Sequence, residues 1–132
     1  LEARENIQDL RRRIWTTYAR HLARWAERNG VRLPMVPEVC EQSFHMFYML
    51  MRSAEERDRL IAHLANDRIL SVFHYVPLHL SAMGRQAPPA NCPVTENVSS
   101  RLIRLPFYND LTEPDQLRVI ESVQRFACRA GD

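Results

Sequence analysis

Lysine is missing from this chain: all 18 of its strongly basic residues are arginine, although lysine is ordinarily among the commonest residues. Arginine can replace lysine on a solvated surface at little cost, but it stays protonated and cannot serve as an amine nucleophile. Chemistry that starts from a side-chain amine is thereby excluded. Glycine is scarce, and Gly30, Gly84 and Gly131 do not form a glycine-rich loop between strand and helix that would cradle a phosphate. Cys40, Cys92 and Cys128 are odd in number, far apart and without C-x-x-C spacing, so they read as free thiols rather than a disulfide framework or zinc knuckle. No apolar run approaches the roughly 18 residues of a membrane-spanning helix, and Leu1 to Asp9 lack the apolar core of an export signal. A cytoplasmic location with no membrane partner is expected. The net charge is only +2, with acids interleaved among the bases except at Arg11, Arg12 and Arg13. A nucleic-acid footprint would be more lopsided, so no nucleic-acid partner is expected.

What is present is enough for one domain of 132 residues, a length that buries a real core without covalent staples. From Glu2 to Asn29, Ile7, Leu10, Ile14, Tyr18, Leu22 and Trp25 recur at steps of three and four, which aligns them on one helix face that Gly30 ends. Asp9 and Arg13 can pair across one turn, and the Arg11–Arg13 run reads as helix surface. Pro34 and Pro37 keep "VRLPMVPE" extended, as an edge strand or connector. "FHMFYMLM" (44–51) suits a strand covered on both faces, and Ser53 with Glu56 forms a capping box before a helix burying Leu60, Ile61 and Leu64. "ILSVFHYV" (69–76) reads as the next strand, since Val76 precedes a proline. Residues 77–93 form a long irregular segment. Thr95 is expected to cap a short helix through Leu102, "LIRLP" gives a brief strand, and Thr112 with Asp115 caps a closing helix striped by Leu117, Ile120, Val123 and Ala127. This order predicts an α+β layer structure, a small sheet with packed helices.

The chemistry-bearing residues gather in "VFHYVPLHLSAMG" (72–84). His74 and His79, with His45 and Cys92 elsewhere, do not have a usual zinc spacing, and no carboxylate lies within the stretch, so no metal is expected. Ser43 and His45 lack an orienting acid and an oxyanion hole. His74, Tyr75 and His79 can offer hydrogen bonds to phosphate or sugar hydroxyls, and Tyr75 adds a ring face for a nucleotide or hexose. Two readings stand: the wall of a binding site, or strand residues turned into the core.

Taken in register, "NIQDLRRRIWTTYARHL", "SFHMFYML", "VFHYVPLHLSAMG" and "PVTENVSSRLIRLPFYNDLTEPDQLRVIESV" resemble the C-terminal part of the sugar-nucleotide aminotransferases that use pyridoxal phosphate. The "HMFY", "VFHYVPLH" and "RLPFYNDL" wording is nearest to members that make dTDP-4-amino-4,6-dideoxygalactose for enterobacterial common antigen and related lipopolysaccharides. The resemblance implies that residues 1–132 are the small C-terminal domain of a fold-type I transferase, with residues 1–29 a long helix packed on a larger domain. In the full enzyme, an amino group would pass from glutamate, through the cofactor, to the C4 ketone of dTDP-4-keto-6-deoxyglucose. A lysine of the larger domain would carry the cofactor, so no cofactor and no catalysis are expected of this chain alone.

The resemblance places Tyr75, His74 and His79 at the mouth of the active site as substrate-binding residues, with Ser81 and Met83 as liners. His45 is expected to be structural. The stretch from Arg85 to Cys92 departs from the family pattern, which bears on sugar specificity. A homodimer is implied, and self-association of the isolated domain is expected through apolar surface that includes Trp15 and Trp25. Opening at Leu1, already inside a helical pattern, the chain is expected to be part of a longer protein. The alternatives are a freestanding, non-catalytic sugar-nucleotide-binding module, or a transaminase for another keto sugar nucleotide. Incubating the chain with pyridoxal phosphate and borohydride should trap no adduct on any side chain; a reduced adduct mapped to an internal residue would overturn the reading of the missing amine.

Overall fold

The computed structural model of the chain describes residues 4–73, 75–88 and 90–128. Helix α1 (Arg4–Asn29) forms over a stretch free of proline and glycine, and its stripe is buried at Ile14, Tyr18, Leu22, Trp25 and Ala26. Gly30 closes it with φ +64°, and Val31 N–H reaches back to Ala26 O at 2.9 Å, the wrap that a left-handed residue permits at a helix end. The Arg11–Arg13 run does lie on this helix: Arg11 Nε donates to Asn109 Oδ1 at 3.1 Å, and the Arg12 guanidinium lies 5.6 Å from the Phe44 ring. The Asp9–Arg13 pair is not among the ion pairs of the described residues.

Strands β1 (Tyr48–Leu50) and β2 (Leu102–Arg104) form a two-stranded antiparallel sheet, with Met49 directly opposite Ile103. The strand expected over 44–51 starts later because Phe44 has φ +47°, outside the extended region. Its ring sits edge-on to Trp15, centroids 5.8 Å apart. Nor are both faces covered: Phe47, Met49 and Met51 are buried, while Tyr48 and Leu50 between them are only half-buried.

Helix α2 (Ala54–Asn66) begins as its capping residues predict, with Ser53 Oγ accepting Glu56 N–H at 3.2 Å. The Glu56 carboxylate is buried and accepts from Arg52 Nε at 3.0 Å, with Arg52 Nη2 on its other oxygen. This contact raises the Arg52 pKa. The strand expected over 69–76 is not formed by the described residues of that stretch, where Val72 alone bridges Arg104, with N···O distances of 3.3 and 2.8 Å. Leu70, Phe73, Tyr75 and Val76 are apolar but exposed.

Helix α3 (Pro93–Arg101) starts three residues earlier than expected. Cys92 is its N-cap and Pro93 its pre-set first position, so Thr95 lies inside the helix. Helix α4 (Glu113–Arg125) follows Thr112, whose Oγ1 accepts Asp115 N–H at 3.3 Å. Val119, Ile120 and Val123 are buried, but Ala127 lies beyond the helix and is exposed; Phe126 takes the core position instead.

One core joins the α1 stripe, the inner face of the sheet, Leu60 and Leu64 of α2, and the α4 stripe. The α+β expectation therefore holds, as helices layered on a very small sheet. Trp25 and Trp15 do not form an outer apolar surface. Trp25 is 3% exposed with Nε1–H donating to Phe126 O at 3.2 Å, and Trp15 packs edge-on to Phe47 at 5.6 Å. Tyr18, fully buried, donates its hydroxyl to Pro106 O at 2.9 Å, and burial, then Tyr108, push its pKa up. The cysteines are free; burial, then Glu56, push the Cys128 thiol pKa up.

Helices α2 and α4 are tied at one end by Asp67. Ser122 Oγ and Arg125 Nη2 (2.7 Å) both donate to its Oδ2, and His63 Nε2 lies 2.9 Å from Ser122 O. The hydroxyl and the guanidinium hold the Asp67 carboxyl below its usual pKa. A carboxyl depressed on folding adds stability that is complete above its unfolded pKa, about 4, and is lost as pH falls through the folded value. Asp67→Asn should therefore lower the urea midpoint at pH 7, and the gap from wild type should shrink below about pH 4; a gap independent of pH would contradict this role.

Candidate functional site

The irregular segment after α2 carries most of the proposed site residues and is built from local turns. Pro77 (φ −52°, ψ 140°) turns the chain into a 3₁₀ turn at Leu78–Leu80, and a second turn follows at Gly84–Gln86. Ser81 staples the two: its Oγ donates to Leu78 O at 2.7 Å and accepts Gly84 N–H at 3.0 Å. Arg85 adds a bond from Nε to Leu80 O at 3.0 Å. A Cβ on Gly84 would lie 1.8 Å from Leu78 O, so only glycine permits this close approach. The result is a knuckle whose outer surface carries Leu78 and Met83, both exposed.

Tyr75 lies just before the knuckle. Its exposed ring lines an apolar notch of about 420 Å³ with Ile61, Ser71, Val72, Phe73 and Val76. The Arg57 guanidinium covers Phe73 at 5.0 Å, and the buried Ser71 Oγ has no hydrogen-bond partner among the described residues. His79, on the first turn, places Nε2 2.9 Å from Glu96 Oε1 in the first turn of α3. His74 lies outside the described residues. The structure thus puts Tyr75 in the notch and His79 and Met83 on the knuckle, and it engages the Ser81 hydroxyl within the turn itself.

His45 stands elsewhere, exposed and ahead of β1, with Nδ1 2.8 Å from Ser43 Oγ. Ser43 borders a polar hollow of about 650 Å³ with Glu5, Asp9, Arg12 and Glu41. Among the described residues His45 has no acid to orient it, and no group of three or more His, Cys, Asp or Glu could hold a metal. No helix among them is long and apolar enough to cross a membrane.

Glu96 and Gly84 do not stand out in the sequence as site residues. Glu96 has a local signal, an acid in the first turn after Pro93, where the helix dipole favours it. Its partner lies 17 residues away, a separation no spacing rule reads. Gly84 has the signal of scarcity alone.

Solved structures show what class of protein folds this way. DesV from S. venezuelae superposes with a TM-score of 0.82 at 28% identity, over 96% of this chain and 33% of that one. The aminotransferase TlmJ from Streptoalloteichus hindustanus gives 0.82 at 24% identity, over 93% and 32%. The chain thus shares the fold of about one third of each of those proteins. The sequence agrees: residues 1–124 match the DegT/DnrJ/EryC1/StrS aminotransferase family, and the chain belongs to it. Among curated relatives, dTDP-3-amino-3,4,6-trideoxy-alpha-D-glucose transaminase from Streptomyces venezuelae is 34% identical over 84% of this chain and 29% of its own length. UDP-N-acetyl-3-dehydro-alpha-D-glucosamine 3-aminotransferase from Acidithiobacillus ferrooxidans is 29% identical over 89% and 30%. The chain therefore spans about 30% of the relatives it matches.

The pyridoxal phosphate that such a family implies does not fit the residues of this chain. There is no lysine to bind it covalently, and the three glycines lie far apart. The chain's own contribution is a shaped, partly apolar wall whose form depends on the knuckle. Gly84→Ala should raise amide exchange over residues 78–87 by about tenfold or more while α2 and β1 keep their protection; unchanged exchange in the knuckle would show that the close approach is dispensable.

Proposed function

We propose that this chain is the small C-terminal domain of a cytoplasmic, pyridoxal-phosphate-dependent sugar-nucleotide aminotransferase. The enzyme moves an amino group from glutamate to the C4 ketone of dTDP-4-keto-6-deoxyglucose for cell-surface polysaccharide synthesis. The observation that carries this reading is the family match over residues 1–124. A thymidine nucleotide is favoured by relatives named as dTDP-amino-sugar transaminases, although others are named for UDP and GDP sugars. Position C4 rests on the "HMFY", "VFHYVPLH" and "RLPFYNDL" wording. A second reading, action at C3, is supported by the 3-amino sugars in the names of all three of those dTDP relatives.

The bound cofactor supplies the carrier for the amino group, and the larger domain supplies its anchor. This chain supplies the wall. Tyr75 offers an exposed ring and hydroxyl to the nucleotide sugar, with His74 beside it; His79 offers a ring nitrogen, and Met83 an adaptable apolar contact. Ser81 acts by holding the turn. The outward face of α1 would rest on the larger domain, and the exposed apolar strip from Leu70 to Met83 suits burial in a homodimer whose sites lie at the subunit boundary. The domain alone would be inactive. Amino transfer to dTDP-4-keto-6-deoxyglucose by the longer protein, and none by this chain, is the expected result. Turnover confined to 3-keto sugars would move the assignment to the second reading, and failure with every nucleotide keto sugar would remove both.

A further inference from the structure

His79 and Glu96 close a segment whose other polar side-chain contacts are internal. Among the described residues, the Ser81 and Arg85 side chains bond to Leu78, Gly84 and Leu80 alone, so they shape the knuckle without fastening it. Among the described residues, the contact from His79 Nε2 to Glu96 Oε1, at 2.9 Å, is the side-chain hydrogen bond that joins residues 77–88 to a helix. It is sheltered on one side: the His79 side chain is 15% exposed and that of Glu96 45%. Helix α3 is seated against α2, which gives Glu96 a firm base. A carboxylate only accepts, so Nε2 carries the proton and Nδ1 becomes the nitrogen left to face outward chemistry.

We propose that Glu96 is a positioning residue: it latches the knuckle to α3 and fixes the orientation in which the His79 ring is presented to a nucleotide-sugar ligand. The ligand part rests on the function proposed above, whereas the latch stands on this geometry alone. The test has two arms. Ring ¹⁵N spectra of the 132-residue chain should show a slowly exchanging, hydrogen-bonded Nε2–H on His79, kept in Glu96→Gln and exchanging rapidly with water in Glu96→Ala. Amide exchange over 77–87 should rise about tenfold in Glu96→Ala, with α2 unchanged. In the longer protein, Glu96→Ala should raise KM for the nucleotide sugar about tenfold with kcat within about twofold. The double variant His79→Ala/Glu96→Ala should cost no more than His79→Ala, because the two act as a unit.

Unchanged exchange of the His79 Nε2–H and unchanged knuckle exchange in Glu96→Ala would overturn the latch. Additive KM effects, or an effect on kcat alone, would overturn its positioning role. A wild-type protein that turns over no nucleotide sugar would sink the functional reading instead, and the spectra would still decide the latch.

Discussion

The enclosure of one face of α1 is the constraint on which the rest of the chain depends. The sheet has two strands of three residues each, too little to be stable alone. Tyr18 and Leu22, both fully buried, supply the apolar wall against which that sheet folds. Tyr18 also fixes the exit from β2, since its hydroxyl donates to Pro106 O. Gln116 performs the reverse operation from α4, donating Nε2–H to Ile14 O at 2.7 Å inside the core. Each buried polar atom so used avoids the cost of an unpaired group, about 1–3 kcal/mol. The first helix, the end of the sheet and the last helix are locked in register by bonds spanning 88 and 102 residues.

Local chemistry was legible in the sequence to the extent that it was local. Ser53 with Glu56, and Thr112 with Asp115, act within one turn, and both cap the helices they predict. The α1 stripe shows the same economy, because its period is a property of the helix itself. Strands fail this test, since an apolar run does not encode whether a partner is available. Residues 69–76 and 44–51 have strand composition, but among the described residues one bridges Arg104 at Val72 alone and the other is turned by Phe44. Thr95 lost its capping role to a stronger local device, the proline at the first helical position. Ala127 lost its core role because the helix stops at Arg125.

The candidate site divides along the same line. Tyr75, His79 and Met83 stand out in the sequence by residue type, and the resemblance assigns them a task. The backbone that presents them was hidden, because it hangs on a glycine chosen for its missing Cβ and on a serine whose hydroxyl serves the turn. Ser81 shows the limit of inference from residue type: a hydroxyl beside a proposed site looks like a ligand contact, but both its bonds are to backbone atoms within seven residues of Pro77. Tyr75 differs in kind. Its ring is 71% exposed beside a concavity whose buried Ser71 hydroxyl has no partner among the described residues.

The absence of lysine gives this arrangement its physical sense. A wall that recognises an activated sugar needs directional donors, ring faces and a rigid backbone, all of which arginine, histidine, tyrosine and tight turns provide. A reactive centre for amino transfer needs a neutral amine at some stage, and guanidinium groups, always protonated, do not provide one. Recognition and reactivity can therefore sit on different parts of one protein, with the reactive part demanding lysine and the recognising part free of it. In such a division the small domain is constrained by shape: a change at Gly84, where 1.8 Å separates a new Cβ from Leu78 O, would act on the site as directly as a change at Tyr75. Under the proposed function, the residues that hold the wall in place would matter as much as those that face the ligand.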